Sequence, residues 1–312
     1  MAIFLWAGDG NGWQAASTAI SLMQLAPASP ATEVNLVQQL FQAFVLGIVQ
    51  GLTEFLPISS TAHLQVFTKA LHWETVGGKP FIATIQFGSI VAVLIYFWKD
   101  ITTIITGGLA AIQQKDWQRE EWKILVGIAV GTLPILVGGL IVKQALNDDK
   151  SAINSMTVIA CTSIVMSLLM GLSEKIGNRK RNFDHLEIQD GILMGLGQMI
   201  ALVPGASRSG STITTGLFLG LERATAARFS FLLGIPALSI ATIYEFFKYA
   251  LGKIDIAVVI VGTLSAFIFS YLSIAWLLGY LQRKNMWIFV WYRLAFGAAI
   301  LAAVSTQILR NT

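Results

Sequence analysis

Apolar residues run in blocks along this chain, at roughly 40–56, 82–98, 101–112, 124–142, 153–172, 191–203, 211–221, 229–247, 257–278 and 288–308, with short polar or charged joints between them. A helix needs about 20 residues to cross the hydrocarbon of a bilayer. The blocks starting at 124, 153, 229, 257 and 288 meet that length, and 82–98 meets it with its flanks. Among the shorter stretches, two are interrupted, one by Pro57 and the other by Pro204 and Gly205, and both carry polar residues in mid-run. These two read as helix hairpins that enter the membrane and return to the side they came from. The expected fold is an all-α integral membrane protein, a polytopic helical bundle with two re-entrant hairpins.

Composition excludes the soluble alternatives. Of 312 residues, 55% are apolar and 12% charged, and the mean hydropathy is +0.68. A soluble domain carries roughly 25% charged residues. Cys161 is the single cysteine and lies in an apolar run, so it reads as packing, with neither a disulfide nor a thiolate metal site available. The net charge of +4 reports membrane orientation before it reports a nucleic-acid partner, and no nucleic acid is expected.

The charge distribution gives a topology. If the joint at 173–190 is cytoplasmic and every long block crosses, the joints at 99–123, 173–190, 222–228 and 279–287 all fall inside, with 12 Lys and Arg against 7 outside. No Lys or Arg precedes Lys69, which fits an N-terminus outside the cytoplasm. The first broken segment then enters from outside and the second from inside, so the halves, about 36–143 and 153–310, form an inverted repeat within a single membrane domain at 36–312. Gln50 lies seven residues before Pro57 and Gln198 six before Pro204, and a Ser-rich turn follows each proline. Inverted repeats with discontinuous helices place their sites near the midplane, where the broken elements meet. Residues 1–35 read as a dispensable N-terminal extension, since a cleaved signal would carry a basic region that is missing here.

The first broken segment, Gln50 to Leu64, holds a carboxylate, adjacent hydroxyls and an imidazole in otherwise apolar surroundings. Polar groups at membrane depth are costly and line cavities or paths. Gln50 and Glu54 are spaced to share a helix face. Pro57 breaks that helix, and Ser59, Ser60 and Thr61 are the residue types that start the next one, whose free N–H groups make an anion site. His63 follows Ser60 by three residues, a spacing that brings imidazole and hydroxyl together as a candidate base and nucleophile. The same hydroxyls could instead only cap the helix and bond its neighbours. In the second broken segment Gly205, Ser207, Ser209 and Gly210 leave backbone N–H groups free to close on a polyanion, and Arg208 supplies a fork for phosphate oxygens. Its counter-charge could come from a ligand or from Glu54 across the repeat interface. Glu54 is also the candidate ligand for a divalent metal. Gln86 faces a cavity or bonds a neighbouring helix. His72 and His185 fall in solvated joints, Glu222 and Arg223 at the membrane surface, and Glu245 and Arg293, near span ends, snorkel or pair. Together these groups point to phosphoryl transfer or phosphate binding on a lipid-borne substrate.

The run Gly51 to Leu64, with Pro204-Gly205-Ala206-Ser207-Arg208-Ser209-Gly210 about 150 residues on, resembles the undecaprenyl-diphosphate phosphatase family linked to bacitracin resistance. Gln86 to Val93 and Phe229 to Leu233 also resemble it, and the likeness runs from about residue 36 to the C-terminus. It implies a multi-pass enzyme of the bacterial inner membrane that removes the terminal phosphate of undecaprenyl diphosphate, recycling the lipid carrier for cell-wall polymers. By motif, Ser60 matches the family's proposed nucleophile, His63 its proton partner, Glu54 the second acid of a Glu/Gln-x-x-x-Glu motif and Arg208 the phosphate-binding arginine. Ser59, Thr61, Gly205, Ser207, Ser209, Gly210 and Gln50 complete the expected substrate-binding set. A divalent cation, Mg2+ or Ca2+, is implied as cofactor. The family often has Glu where this chain has Gln50, and an amide is a weaker metal ligand than a carboxylate.

Expected partners are the polyprenyl diphosphate and membrane lipids, with a homodimer left open and the chemistry placed at the outer leaflet. The rival reading is a transporter or flippase for a phospholipid or anion, which needs the clamp but no nucleophile. A phosphatidic-acid-type phosphatase is disfavoured, because no His-x-x-x-Asp follows Arg208.

Overall fold

The structure, a computed structural model, describes residues 35–74, 76–145, 152–250 and 255–311. Apart from its last residue, the extension expected over 1–35 lies outside them. The chain divides into residues 1–38, of which 35–38 are described, and residues 39–312, which form the body considered below.

The described helices are α1 Leu36–Phe55, α2 Ser60–Ala70, α3 Lys79–Tyr96, α4 Trp98–Gln114, α5 Glu120–Ala145, α6 Met156–Ile176, α7 Ile188–Gln198, α8 Arg208–Phe218, α9 Arg223–Glu245, α10 Ile256–Leu281 and α11 Trp287–Ser305, with short 3-10 turns at Ala152–Asn154, Phe183–His185 and Met199–Leu202. Seven of them are long and apolar enough to cross a membrane, which makes this a multi-pass membrane protein. The sequence predicts six such spans. The seventh is α1, which starts at Leu36, ahead of the apolar block at 40–56, and so reaches 20 residues before Pro57. The second break differs: α7 and α8 have 11 residues each and pack against one another. At a rise of about 1.5 Å per residue each covers roughly half the hydrocarbon thickness.

Large apolar side chains such as Leu133, Val137 and Leu140 on α5 and Val165, Leu168 and Leu172 on α6 face outward, as a lipid solvent permits. Cys161 is also exposed on α6, which corrects its reading as packing. The interior is comparatively polar, with Ser89, Ser163, Ser167, Ser209, Thr212, Ser230 and Ser270 fully buried. Small residues let helices approach closely where hydrophobic burial drives nothing. A methyl group placed on Gly195 of α7 would lie 2.1 Å from the carbonyl oxygen of Gly131 on α5, and one on Gly88 of α3 would lie 2.2 Å from that of Thr263 on α10. The hydroxyls join in: Ser167 donates to the Val290 carbonyl (2.6 Å), joining α6 to α11, and Ser265 donates to that of Phe44 (2.9 Å), joining α10 to α1.

Ion pairs link three of the four joints that the charge pattern places on one side, and a backbone hydrogen bond reaches the fourth, at 279–287. The buried Glu174 carboxylate accepts from Arg223 and Arg179 and from the Met286 N–H. Arg228 pairs with Asp100, Lys123 with Glu187, and Arg181 with Asp190. Asp190 also completes a capping box with Glu187 at the start of α7.

Candidate active site

Both breaks are built alike. Ser59 (φ 76°) and Ser207 (φ 72°) occupy the left-handed region immediately before α2 and α8. Each hydroxyl accepts a hydrogen bond from the N–H three residues on, Ala62 at 3.4 Å and Gly210 at 3.1 Å. The first turn of each short helix therefore opens on the same cavity, which measures about 150 Å³ and is lined by Glu54, Ser60, Thr61, Gln86, Ser207 and Arg208, among others. Helix N-termini are ready-made anion sites.

Glu54 stands at the centre. One carboxylate oxygen accepts from the Ser60 hydroxyl (2.8 Å) and from the Gln50 amide (3.1 Å). The other accepts from Arg208 Nη2 (3.3 Å), and the two side chains keep 6% and 11% of their exposure. The counter-charge that the sequence leaves open between ligand and protein is therefore Glu54. Arg208 also donates to the Ser230 carbonyl (3.5 Å) and lies over the Phe55 ring, 5.7 Å from its centroid. Its Nε is buried with no hydrogen-bond partner among the described residues. Gly234 of α9 makes room for the guanidinium, since a methyl there would come within 2.2 Å of Nη1. Gln50 reaches Ser89 as well (3.4 Å), so the amide in the family's acidic position gives Glu54 a donor where an acid would set two carboxylates face to face.

The expected contact between Ser60 and His63 is not formed. His63 Nδ1 meets the Ser59 carbonyl (2.8 Å), Nε2 meets the Tyr292 hydroxyl (2.6 Å), and the ring stacks on Phe296 at 4.1 Å between centroids. His63 lines neither cavity of this site. Of the other expected residues, Gly205 and Ser207 line the smaller cavity, Ser59 and Thr61 join them there, and Gln50 lines a larger neighbour. Ser209 turns away to donate to the Leu56 carbonyl (3.0 Å), tying one break to the other. Gly210 supports the Ser207 cap.

The larger cavity, about 360 Å³, shares Glu54, Ser60, Thr61 and Gln86 with the smaller and adds Gln65, Lys79 and Glu245. Gln86 thus faces the cavities, and Glu245, read from sequence as snorkelling or paired, lines the larger one. Arg293 is the plainest correction: it neither snorkels nor pairs with an acid, but is fully buried, donating to the carbonyls of Pro57, Gly205 and Ser163. Its signal in the sequence was an arginine well inside an apolar helix with no acid at helical spacing. Tyr292 carried no such signal, because nothing in the local pattern points it at a residue 229 positions away.

Among the described residues no three His, Cys, Asp or Glu side chains gather as a metal site. The side-chain oxygens around the cavity belong to Glu54, Ser59, Ser60, Thr61, Gln86 and Ser207. They form a hard, incomplete donor set that fits a cation retaining water and taking substrate phosphate oxygens, as Mg2+ does, and does not amount to an all-protein cage.

The profile of the bacitracin resistance protein BacA family matches residues 43–299. The undecaprenyl-diphosphatase of Trichormus variabilis is 53% identical over 308 residues, covering 96% of this chain and 96% of its own. That of Thermosynechococcus vestitus is 52% identical over 86% of this chain and 97% of its own, and that of Synechocystis sp. 50% identical over 91% and 90%. A match of this extent, spanning both breaks and every helix between them, places the chain in the bacitracin resistance protein BacA family.

Proposed function

We propose that the chain hydrolyses undecaprenyl diphosphate to undecaprenyl phosphate and inorganic phosphate, the activity its relatives are named for, and so returns the lipid carrier to use and underlies bacitracin resistance. The observation that carries the chemistry is Glu54 bridging Ser60 and Arg208, one from each broken segment. A serine hydroxyl on a carboxylate at 2.8 Å has a base within proton-transfer reach. Ser60 Oγ attacks the terminal phosphorus and its proton passes to Glu54. The bond from that phosphorus to the bridging oxygen breaks, and undecaprenyl phosphate leaves. Water then cleaves the phosphoserine to inorganic phosphate, with Glu54 again handling the proton. Arg208 and the first N–H groups of α2 and α8 hold the phosphoryl oxygens as charge shifts among them. His63 supports this arrangement from behind, fixing the Ser59 carbonyl. Glu54, Ser60 and Gln86 would hold the divalent cation, which when bound supplies Lewis-acid stabilisation of phosphoryl oxygens. A carrier for a phospholipid or anion could use the clamp, but has no use for a hydroxyl set on a carboxylate.

The test is phosphate release from undecaprenyl diphosphate by the purified protein in detergent, with and without a chelator. Wild type is expected to release phosphate in a chelator-sensitive way, and Ser60→Ala and Arg208→Ala to lose about 100-fold or more while eluting as wild type does. Near-normal turnover by either variant removes that residue from the mechanism, and release that ignores the chelator removes the cation.

A further inference from the structure

Arg293 is unusual in its partners. Its Nη1 donates to the Pro57 carbonyl (2.9 Å), its Nη2 to that of Gly205 (2.8 Å) and its Nε to that of Ser163 (3.4 Å). Pro57 and Gly205 hold equivalent places in the two breaks: each lies two residues before the left-handed serine and three before the residue that enters the chemistry, Ser60 in one case and Arg208 in the other. One planar fork from α11 therefore spans the two turns, gripping each at the same point. The side chain is fully buried and lines neither cavity. No salt bridge joins it to an acid among the described residues, so its charge is dispersed over three carbonyl dipoles. Burying an unpaired guanidinium is expensive, and a neutral side chain could pack an apolar span at less cost. A fork that fixes two turns at once is a use that no other side chain can match, because lysine offers a point charge on a flexible stem.

We infer that Arg293 is a positioning residue for the phosphatase reaction, a clamp that sets the distance between the two broken segments and hence the registry of Ser60 and Glu54 with Arg208. The inference rests on the reading of Ser60 and Arg208 given above. Its effect belongs to the transition state: a substrate phosphate can still reach either turn when the clamp is lost, but nucleophile and guanidinium no longer converge on one phosphorus. Misplacement by about 1 Å is enough to cost roughly 100-fold in rate.

Two measurements on the full chain test this. In the first, kcat and KM for undecaprenyl diphosphate are compared among wild type, Arg293→Met and Arg293→Lys. Arg293→Met is expected to lose about 100-fold in kcat with little change in KM, and Arg293→Lys to fall between it and wild type. A rise in KM at unchanged kcat would assign Arg293 to substrate binding, and unchanged kinetics would dismiss it, each overturning the proposal. If Arg293→Met is not recovered monodisperse, Arg293→Lys decides alone: a lower kcat at constant KM supports the clamp, and wild-type kcat overturns it. The second measurement is the spin-label distance between Phe67→Cys on α2 and Phe218→Cys on α8, in a Cys161→Ser background, with and without the Arg293 substitution. A broader distribution in the Arg293 variant is expected, and an unchanged one overturns the clamp. This arm needs no turnover, so it stands even if the parent protein fails to hydrolyse undecaprenyl diphosphate, an outcome that would sink the phosphatase reading instead.

Discussion

At the residue scale, Glu54 holds the site together, with Ser60 and Gln50 on one carboxylate oxygen and Arg208 on the other. Glu54, Ser60 and Arg208 stand out in the sequence because charge and clustered hydroxyls are costly inside an apolar run. Helical spacing pairs Ser60 with His63, and that rule fails at a helix start. Ser60 is the first residue of α2, and side chains there lean back toward the N-terminus, where Glu54 waits at the end of α1. His63, one turn on, finds the Ser59 carbonyl beneath it instead. The two arrangements predict opposite orders of severity. Glu54→Gln keeps the shape but removes the base, and is expected to cost about 100- to 10,000-fold in phosphate release. His63→Gln, whose amide can retain one of the two bonds of the imidazole, is expected to cost about tenfold, consistent with the loss of a single hydrogen bond. Release rates measured on both variants settle the order, and the reverse ranking returns the base role to His63.

At the element scale, the prolines and the Ser-rich turns locate both breaks, and the residue types at 59–61 point to the first cap, whereas the matching cap at Ser207 shows only in the structure. The pattern did not show where α1 begins. The apolar block starts at about 40, after Gln38 and Gln39, although a helix continues through such residues readily. Nor could the pattern show which glycines meet. Gly127 and Gly131 on α5 lie against Gly191 and Gly195 on α7, two small-residue pairs at a spacing of four. The contact is lopsided. A methyl on Gly191 would come within 2.3 Å of the Gly127 carbonyl oxygen, whereas one on Gly127 would sit 3.5 Å from the nearest atom of Gly191, an ordinary contact. Gly191→Ala is therefore expected to destabilise the protein by about 1 to 3 kcal/mol through overpacking, and Gly127→Ala to be tolerated. Thermal unfolding in detergent, followed by the loss of monodisperse protein, separates them. Equal melting temperatures would mean that the seam relaxes without cost.

At the scale of the whole molecule, composition and hydropathy fixed the class, and charge grouped the joints that the ion pairs of Glu174, Arg228 and Lys123 tie together. What stayed hidden was anything that depends on distant segments meeting, such as the grip of Arg293 on both turns. Residues 1–34 precede both broken segments and fall outside the family match at 43–299. Deletion of residues 1–34 is expected to leave the rate of phosphate release at the parental value, and a large loss in the purified truncated protein would assign them a part in the reaction. One consequence follows from the Glu54–Arg208 pair at 3.3 Å. The guanidinium is stripped of water when the protein folds, with a carboxylate standing in for bulk solvent, so an incoming phosphate exchanges one oxyanion for another instead of dragging a bare charge into the bilayer. Departure of the phosphate is the same exchange run backward, and the buried arginine keeps an anionic neighbour at every stage of the cycle.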